Sequence, residues 1–193
     1  ALVSRHQGLR FTYAELDARV EELARGLLAL GTGRGDRVGV WSTDNAEWVE
    51  LQLATARVGA VLVNVNPACR APELRHALGA GCIQTLFLEP AFRESRYPAM
   101  VAELCPEART AEPDAFRAEA FPGLRRLVVF DPAAREGAAR PARAFLTWSE
   151  ALARGRAVEE GAVRRRAGEL DPDALTPKEA LDLLYRLRRQ LDE

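Results

Sequence analysis

The residues able to carry chemistry are few, and their spacing decides what each could do. Ser4, Ser42, Ser95 and Ser149 could serve as acyl nucleophiles, but none sits in the G-x-S-x-G elbow that exposes a serine at a strand-to-helix turn. His6 and His76 have no partner at H-x-x-x-H or H-E-x-x-H spacing, and no D-x-D pattern occurs, so no metal centre is expected. Cys69, Cys82 and Cys105 form no C-x-x-C pair and lack adjacent activating groups; burial as small apolar residues is their expected role. The cluster Gly31-Thr32-Gly33-Arg34-Gly35 departs from G-x-G-x-x-G spacing, and it follows a helical pattern and precedes a strand pattern. A phosphate cradle needs the opposite order, with the pyrophosphate meeting a helix N-terminus, so this cluster is expected to be a plain turn. Arg125-Arg126 and Arg164-Arg165-Arg166 could meet phosphates, but Glu159, Glu160 and Glu169 accompany them without interleaved aromatics, which predicts solvated helix faces. Trp41 and Trp48 flank one turn and are expected to pack rather than to stack on a ligand. No catalytic, cofactor-binding or metal-ligating residue is therefore expected in this chain.

The elements that would position these residues alternate between strand and helix. Thr12-Tyr13-Ala14-Glu15 is a capping box, and Leu16, Val20, Leu23, Leu27 and Leu30 then recur every three or four residues, predicting a helix over 11–31. Residues 37–42 read as a buried strand. Asp44-Asn45-Ala46-Glu47 repeats the capping logic ahead of a helix that ends at Gly59. A strand over 60–65, a helix from Pro72 to about Gly79, a strand over 83–88 and a helix between Ala91 and Leu104 follow. Residues 127–130 predict a further strand and 131–145 a loop; Thr147-Trp148-Ser149-Glu150 caps a short helix to about Arg154. Strand–helix–strand units at this spacing predict an α/β chain with a parallel sheet, wound by right-handed crossovers.

Composition bounds the partners. The 193 residues suit one domain or slightly more, and 48% hydrophobic with 28% charged residues describes a globular chain. Lys+Arg 27 against Asp+Glu 28 leaves a net charge of −1, too little to hold nucleic acid or an anionic membrane by a global field. No apolar run reaches the roughly 20 residues of a membrane helix, and no charged-then-apolar leader opens the sequence. An odd number of unpaired cysteines fits a reducing compartment, so a cytoplasmic location is expected. Lys178 is the only lysine, which excludes any mechanism needing a lysine in the first 177 residues.

Two stretches carry a family resemblance. Phe11-Thr12-Tyr13-Ala14-Glu15-Leu16, followed by Gly31 and Gly35-Asp36-Arg37-Val38-Gly39-Val40, is similar to the opening segment of adenylate-forming acyl-CoA synthetases. Asn45-Ala46-Glu47-Trp48 and then Ala56-Arg57-Val58-Gly59-Ala60-Val61-Leu62-Val63-Asn64-Val65-Asn66-Pro67 resemble the segment that follows it. Glu73-Leu74 and the strand over 83–88 continue the register, and the later residues resemble the medium-chain fatty acyl-CoA synthetase branch. The resemblance implies that residues 1–173 form an incomplete N-terminal subdomain of such an enzyme. In the complete family enzyme it implies ATP, Mg2+ and CoA as cofactors and a fatty acid as substrate, joined through an acyl-adenylate. The family's Ser/Thr/Gly-rich phosphate loop and its catalytic lysine lie in later segments. Lys178 follows Pro177 but no Gly/Ser/Thr run precedes it, so no family catalytic residue maps onto this chain. No cofactor is expected for the chain itself, and no adenylation activity.

Residues 170–187, from Leu170-Asp171-Pro172-Asp173 onward, resemble instead the extreme C-terminus of bacterial MutS mismatch-recognition ATPases, where this region contributes to self-association. Thr176-Pro177-Lys178-Glu179 caps an amphipathic helix carrying Leu181, Leu184, Leu187 and Leu191. That resemblance implies a separate unit over 174–193 and, as an alternative function, a non-enzymatic homo-oligomerisation module. Nucleic-acid binding is not expected, because the charge is balanced and no groove-reading motif is present.

Overall fold

A computed structural model describes residues 2–131, 141–159, 161–163 and 165. Thr12 caps the first long helix, α1 (Tyr13–Ala29), through the reciprocal bonds its sequence predicts: Glu15 N donates to Thr12 Oγ1 at 3.2 Å, and Thr12 N donates to Glu15 Oε2 at 2.7 Å. Before it, β1 (Leu2–Ser4) and β2 (Leu9–Phe11) form a small antiparallel hairpin that the sequence pattern does not announce. The chain continues through β3 (Arg37–Trp41), α2 (Ala46–Val58), β4 (Val61–Val65), α3 (Ala71–Ala80), β5 (Thr85–Leu88), α4 (Tyr97–Leu104), β6 (Arg126–Val129), β7 (Phe145–Thr147) and α5 (Trp148–Gly155). Gly59 ends α2 at φ 73°, the left-handed position that disfavours a side chain.

Five of these strands form one parallel sheet in the order β4-β3-β5-β6-β7, as expected for an α/β chain. Central strands of such a sheet are covered on both faces and read as continuous apolar runs. Accordingly β5 is buried throughout, whereas β4 at the edge leaves Val61 49% exposed. Alternate residues feed two cores. Trp41, Leu86, Leu88, Leu127 and Phe145 pack under α3 and α4. Val38, Val40, Phe87, Val128 and Leu146 pack under α1, α2 and α5.

Two local expectations change. The helix expected between Ala91 and Leu104 begins only at Tyr97, because Phe92 and Ser95 exchange backbone hydrogen bonds in a tight turn with Arg93 at φ 53°. Residues 131–145 were expected to be loop, yet Phe145–Thr147 forms β7, whose three residues run straight into the Thr147 capping box and show no period of their own. The tail expected over 174–193, with its amphipathic helix, lies outside the described residues.

Candidate functional site

All five parallel strands end at the same edge of the sheet, and the loops that follow them bring several polar side chains together. The order β4-β3-β5 makes the connection from β3 leave to one side and the strand after next return on the other, so a crevice opens between the ends of β3 and β5. A cavity of about 700 Å3 occupies it. Asn45 and Glu47 enter from the start of α2, Glu89, Pro90 and Ala91 from the end of β5, Phe130 and Asp131 from the end of β6, and the β1–β2 hairpin closes it with His6, Gln7 and Leu9.

Most polar side chains of the crevice pin a loop. Glu89 accepts from Thr43 Oγ1 at 2.7 Å, Thr43 N at 3.1 Å and Asn45 Nδ2 at 2.9 Å, which ties the β3–α2 loop to the end of β5. Asn45 Nδ2 also reaches Ser42 Oγ at 2.7 Å, and Asn45 Oδ1 caps α2 by accepting from Trp48 N at 2.8 Å. Gln7 clamps the hairpin to the same helix end: its Oε1 accepts from Ala46 N at 2.8 Å and its Nε2 donates to Glu47 Oε2 at 2.7 Å. Asp131 Oδ2 accepts from Ser149 N at 3.0 Å and from the Ser149 hydroxyl, while its Oδ1 is buried with no hydrogen-bond partner. Beside the crevice, Trp41 donates from Nε1 to Asn66 O at 3.0 Å and stacks on Tyr97, whose hydroxyl donates to Pro67 O at 2.5 Å. Burial raises the Tyr97 hydroxyl pKa, with the Glu89 charge adding to it, so this residue stays protonated and donating.

Three carboxylates, Glu47, Glu89 and Asp131, line the cavity, and the Ala46 and Trp48 N–H groups that an anion would use at the α2 N-terminus already serve Gln7 and Asn45. No group of three or more His, Cys, Asp or Glu side chains among the described residues is arranged to hold a metal ion. The crevice is a braced sheet edge.

The other sequence candidates separate from it. The cluster from Gly31 to Gly35 forms the turn between α1 and β3, at the opposite edge of the sheet, as expected. His6 lines the crevice with Nδ1 3.4 Å from Ser4 Oγ, and His76 is exposed on α3. Burial holds for Cys105, whose thiol is pushed up to about 12 by desolvation, and partly for Cys69; Cys82 is exposed at φ 45° because it turns the chain out of α3. Arg126 departs from the solvated helix face expected of it. It begins β6 and lies 3.4 Å from Asp114, which Arg154 also grips with two hydrogen bonds of 2.7 and 3.0 Å. Arg165 pairs with Glu159 at 2.8 Å. The Gln7 clamp and the Glu89 brace escape the sequence because their partners lie about forty residues away.

Comparison with known proteins decides the family. Residues 1–158 match the family described as AMP-binding enzyme. The chain belongs to that family. It is 38% identical over 131 residues to the mitochondrial medium-chain acyl-CoA ligase ACSF2 of Bos taurus, an alignment that covers 68% of this chain and 21% of the relative. It is 31% identical over 173 residues to YngI of Bacillus subtilis, assigned as an acyl-CoA synthetase, covering 90% of this chain and 30% of the relative. Among solved structures, the acetoacetyl-CoA synthetase of Streptomyces lividans superposes with a TM-score of 0.57 at 27% identity, covering 77% of this chain and 21% of that one. The chain thus spans less than a third of the proteins it matches. Residues 157–190 match a second, short region, the C-terminal region of the DNA mismatch repair protein MutS. No helix among the described residues is long and apolar enough to cross a membrane.

Proposed function

We propose that this chain is the N-terminal part of a fatty acid CoA ligase of medium-chain preference and that it has no adenylation activity by itself. The observation that carries the ligase reading is the 38% identity to the bovine medium-chain enzyme. In the complete enzyme the fatty acid carboxylate attacks the α-phosphorus of ATP with Mg2+ bound, releasing pyrophosphate. The CoA thiol then attacks the acyl carbon and releases AMP. Residues 1–173 supply the sheet scaffold, and residues 174–193 form a separate unit. Inactivity of the chain alone follows from chemistry: the transferring phosphoryl group needs cations and a donor cradle. No lysine stands in the first 177 residues, and the crevice presents carboxylates whose neighbouring donors are already used. Exchange of labelled pyrophosphate into ATP, with fatty acids of 4 to about 18 carbons, tests this: exchange at the no-enzyme background is expected, and acid-dependent exchange refutes it. A cytoplasmic location belongs to the same reading and is checked by fractionation.

A second reading makes the chain a non-enzymatic self-association module acting through its C-terminal stretch. The match of residues 157–190 to the MutS C-terminal region favours it. Solution mass with and without residues 174–193 tests it, since a monomer in both cases defeats association.

A further inference from the structure

Helices α1 and α2 leave an apolar groove on their outer side that nothing among the described residues covers. Tyr13, Leu16 and Val20 from α1 and Leu53 and Ala56 from α2 line about 500 Å3, with Tyr13 81% and Leu53 42% exposed. Arg57 bridges the two helices by pairing with both Asp17 and Glu21, which leaves two carboxylates to one guanidinium on that rim.

We infer that this groove is the docking site of the chain's own residues 177–191. The sequence of that segment supplies a matching surface. Leu181, Leu184, Leu187 and Leu191 fall within about 120° of one helical projection, and Arg188 projects from the same face as a cation for the Asp17–Glu21 rim. A helix of 15 residues is marginal in water and gains its stability from a face to pack on.

The path is short enough. Helix α1 lies between α2 and α5, at helix spacings of about 8–10 Å, and the last described residues follow α5 with Val163 in the core shared with Val20. The 11 residues from 166 to 176 span up to about 36 Å extended, and about 18 Å as a flexible root-mean-square distance. One to two helix spacings, combined with the roughly 15 Å that α1 adds along its axis between Gly26 and Leu16, fall inside the extended reach. The tether then presents the segment to its own groove at an effective concentration in the millimolar range, far above that of a second copy in dilute solution.

Disulfide trapping tests the docking in the full-length chain, with Cys69 and Cys82 changed to Ser. Under mild oxidant, the pair Leu53→Cys and Leu184→Cys is expected to form an intrachain bond at monomer mass. Its rate should be at least tenfold above that of Leu53→Cys with Asp182→Cys, which lies across the helical projection from the stripe, and independent of protein concentration. Equal rates for the two pairs overturn the inference, as do interchain bonds whose rate rises with concentration; the latter result supports the association reading instead. Should the cysteine variants not fold, Leu53→Glu gives a second readout. Amide exchange over 177–191 is expected to accelerate at least tenfold, and unchanged exchange overturns the docking. Neither readout depends on ligase activity.

Discussion

A single methyl group at residue 155 should separate two helices. Where α5 crosses α1, a Cβ on Gly155 would lie 2.5 Å from Gly26 N, 2.9 Å from the Arg25 carbonyl carbon and 3.0 Å from Gly26 Cα. Ordinary contact is about 3.5–4.0 Å, and every clashing atom is backbone, so no rotamer change can relieve the overlap. The helices must part by about 1 Å, a gap that forfeits a quarter to a half of the attraction at each affected contact. Overpacking of this kind costs about 1–3 kcal/mol, whereas helix propensity returns at most about 1 kcal/mol, and less at the last residue of a helix. Gly155→Ala should therefore destabilise by about 1–2 kcal/mol and lower Tm by about 2–8 °C for a chain of this size. Gly79, inside α3, provides the opposite case, since an added Cβ there meets nothing within 4 Å. Gly79→Ala should stabilise by up to about 1 kcal/mol. Urea unfolding followed by tryptophan fluorescence measures both, with Trp148 on α5 reporting directly. A Gly155→Ala protein as stable as the parent would refute the close approach of α1 and α5.

Three further outcomes are expected. Burial pushes the Glu50 carboxyl upward in pKa despite its 2.6 Å bond from Arg19 Nε, so the folded state holds this proton more tightly than the unfolded chain. Its stabilising contribution is complete below the unfolded value and fades as pH rises through the folded one. Glu50→Gln should thus gain stability relative to the parent between pH 4 and 7; a difference flat with pH would contradict this. Asp114 behaves oppositely: the Arg154 hydrogen bonds lead in holding its carboxyl below the usual range. The contribution exists above the ordinary aspartate pKa and is lost as pH falls through the lowered one. Because Asp114 is 62% exposed, Asp114→Asn should cost no more than about 1 kcal/mol, and that cost should shrink in 1 M NaCl and at acid pH in urea titrations. Glu89→Ala should cost about 1–3 kcal/mol by stranding the Thr43 and Asn45 donors, with amide exchange accelerating over residues 42–46 before the rest of the chain; uniform acceleration would argue against a local brace.

Most of the elements, and the family, are legible in the residues alone. Capping boxes at Thr12 and Thr147, the Asn45 cap and the Gly59 stop are local signals, because each satisfies backbone groups within a few residues. They therefore survive in a one-dimensional reading, as do the apolar runs of β3, β5 and β6. The strand order, the β1–β2 clamp and the three-residue β7 emerge only when the chain is folded. Folding also sets which side chains meet at the sheet edge: a crossover places Thr43 beside Glu89, and the packing of the β1–β2 hairpin on the start of α2 places Gln7 beside Glu47. At the crevice, Gln7 and Glu89 engage the Ala46, Thr43 and Asn45 donors, a bracing that depends on loops brought side by side by the sheet and so leaves no local pattern in the residues.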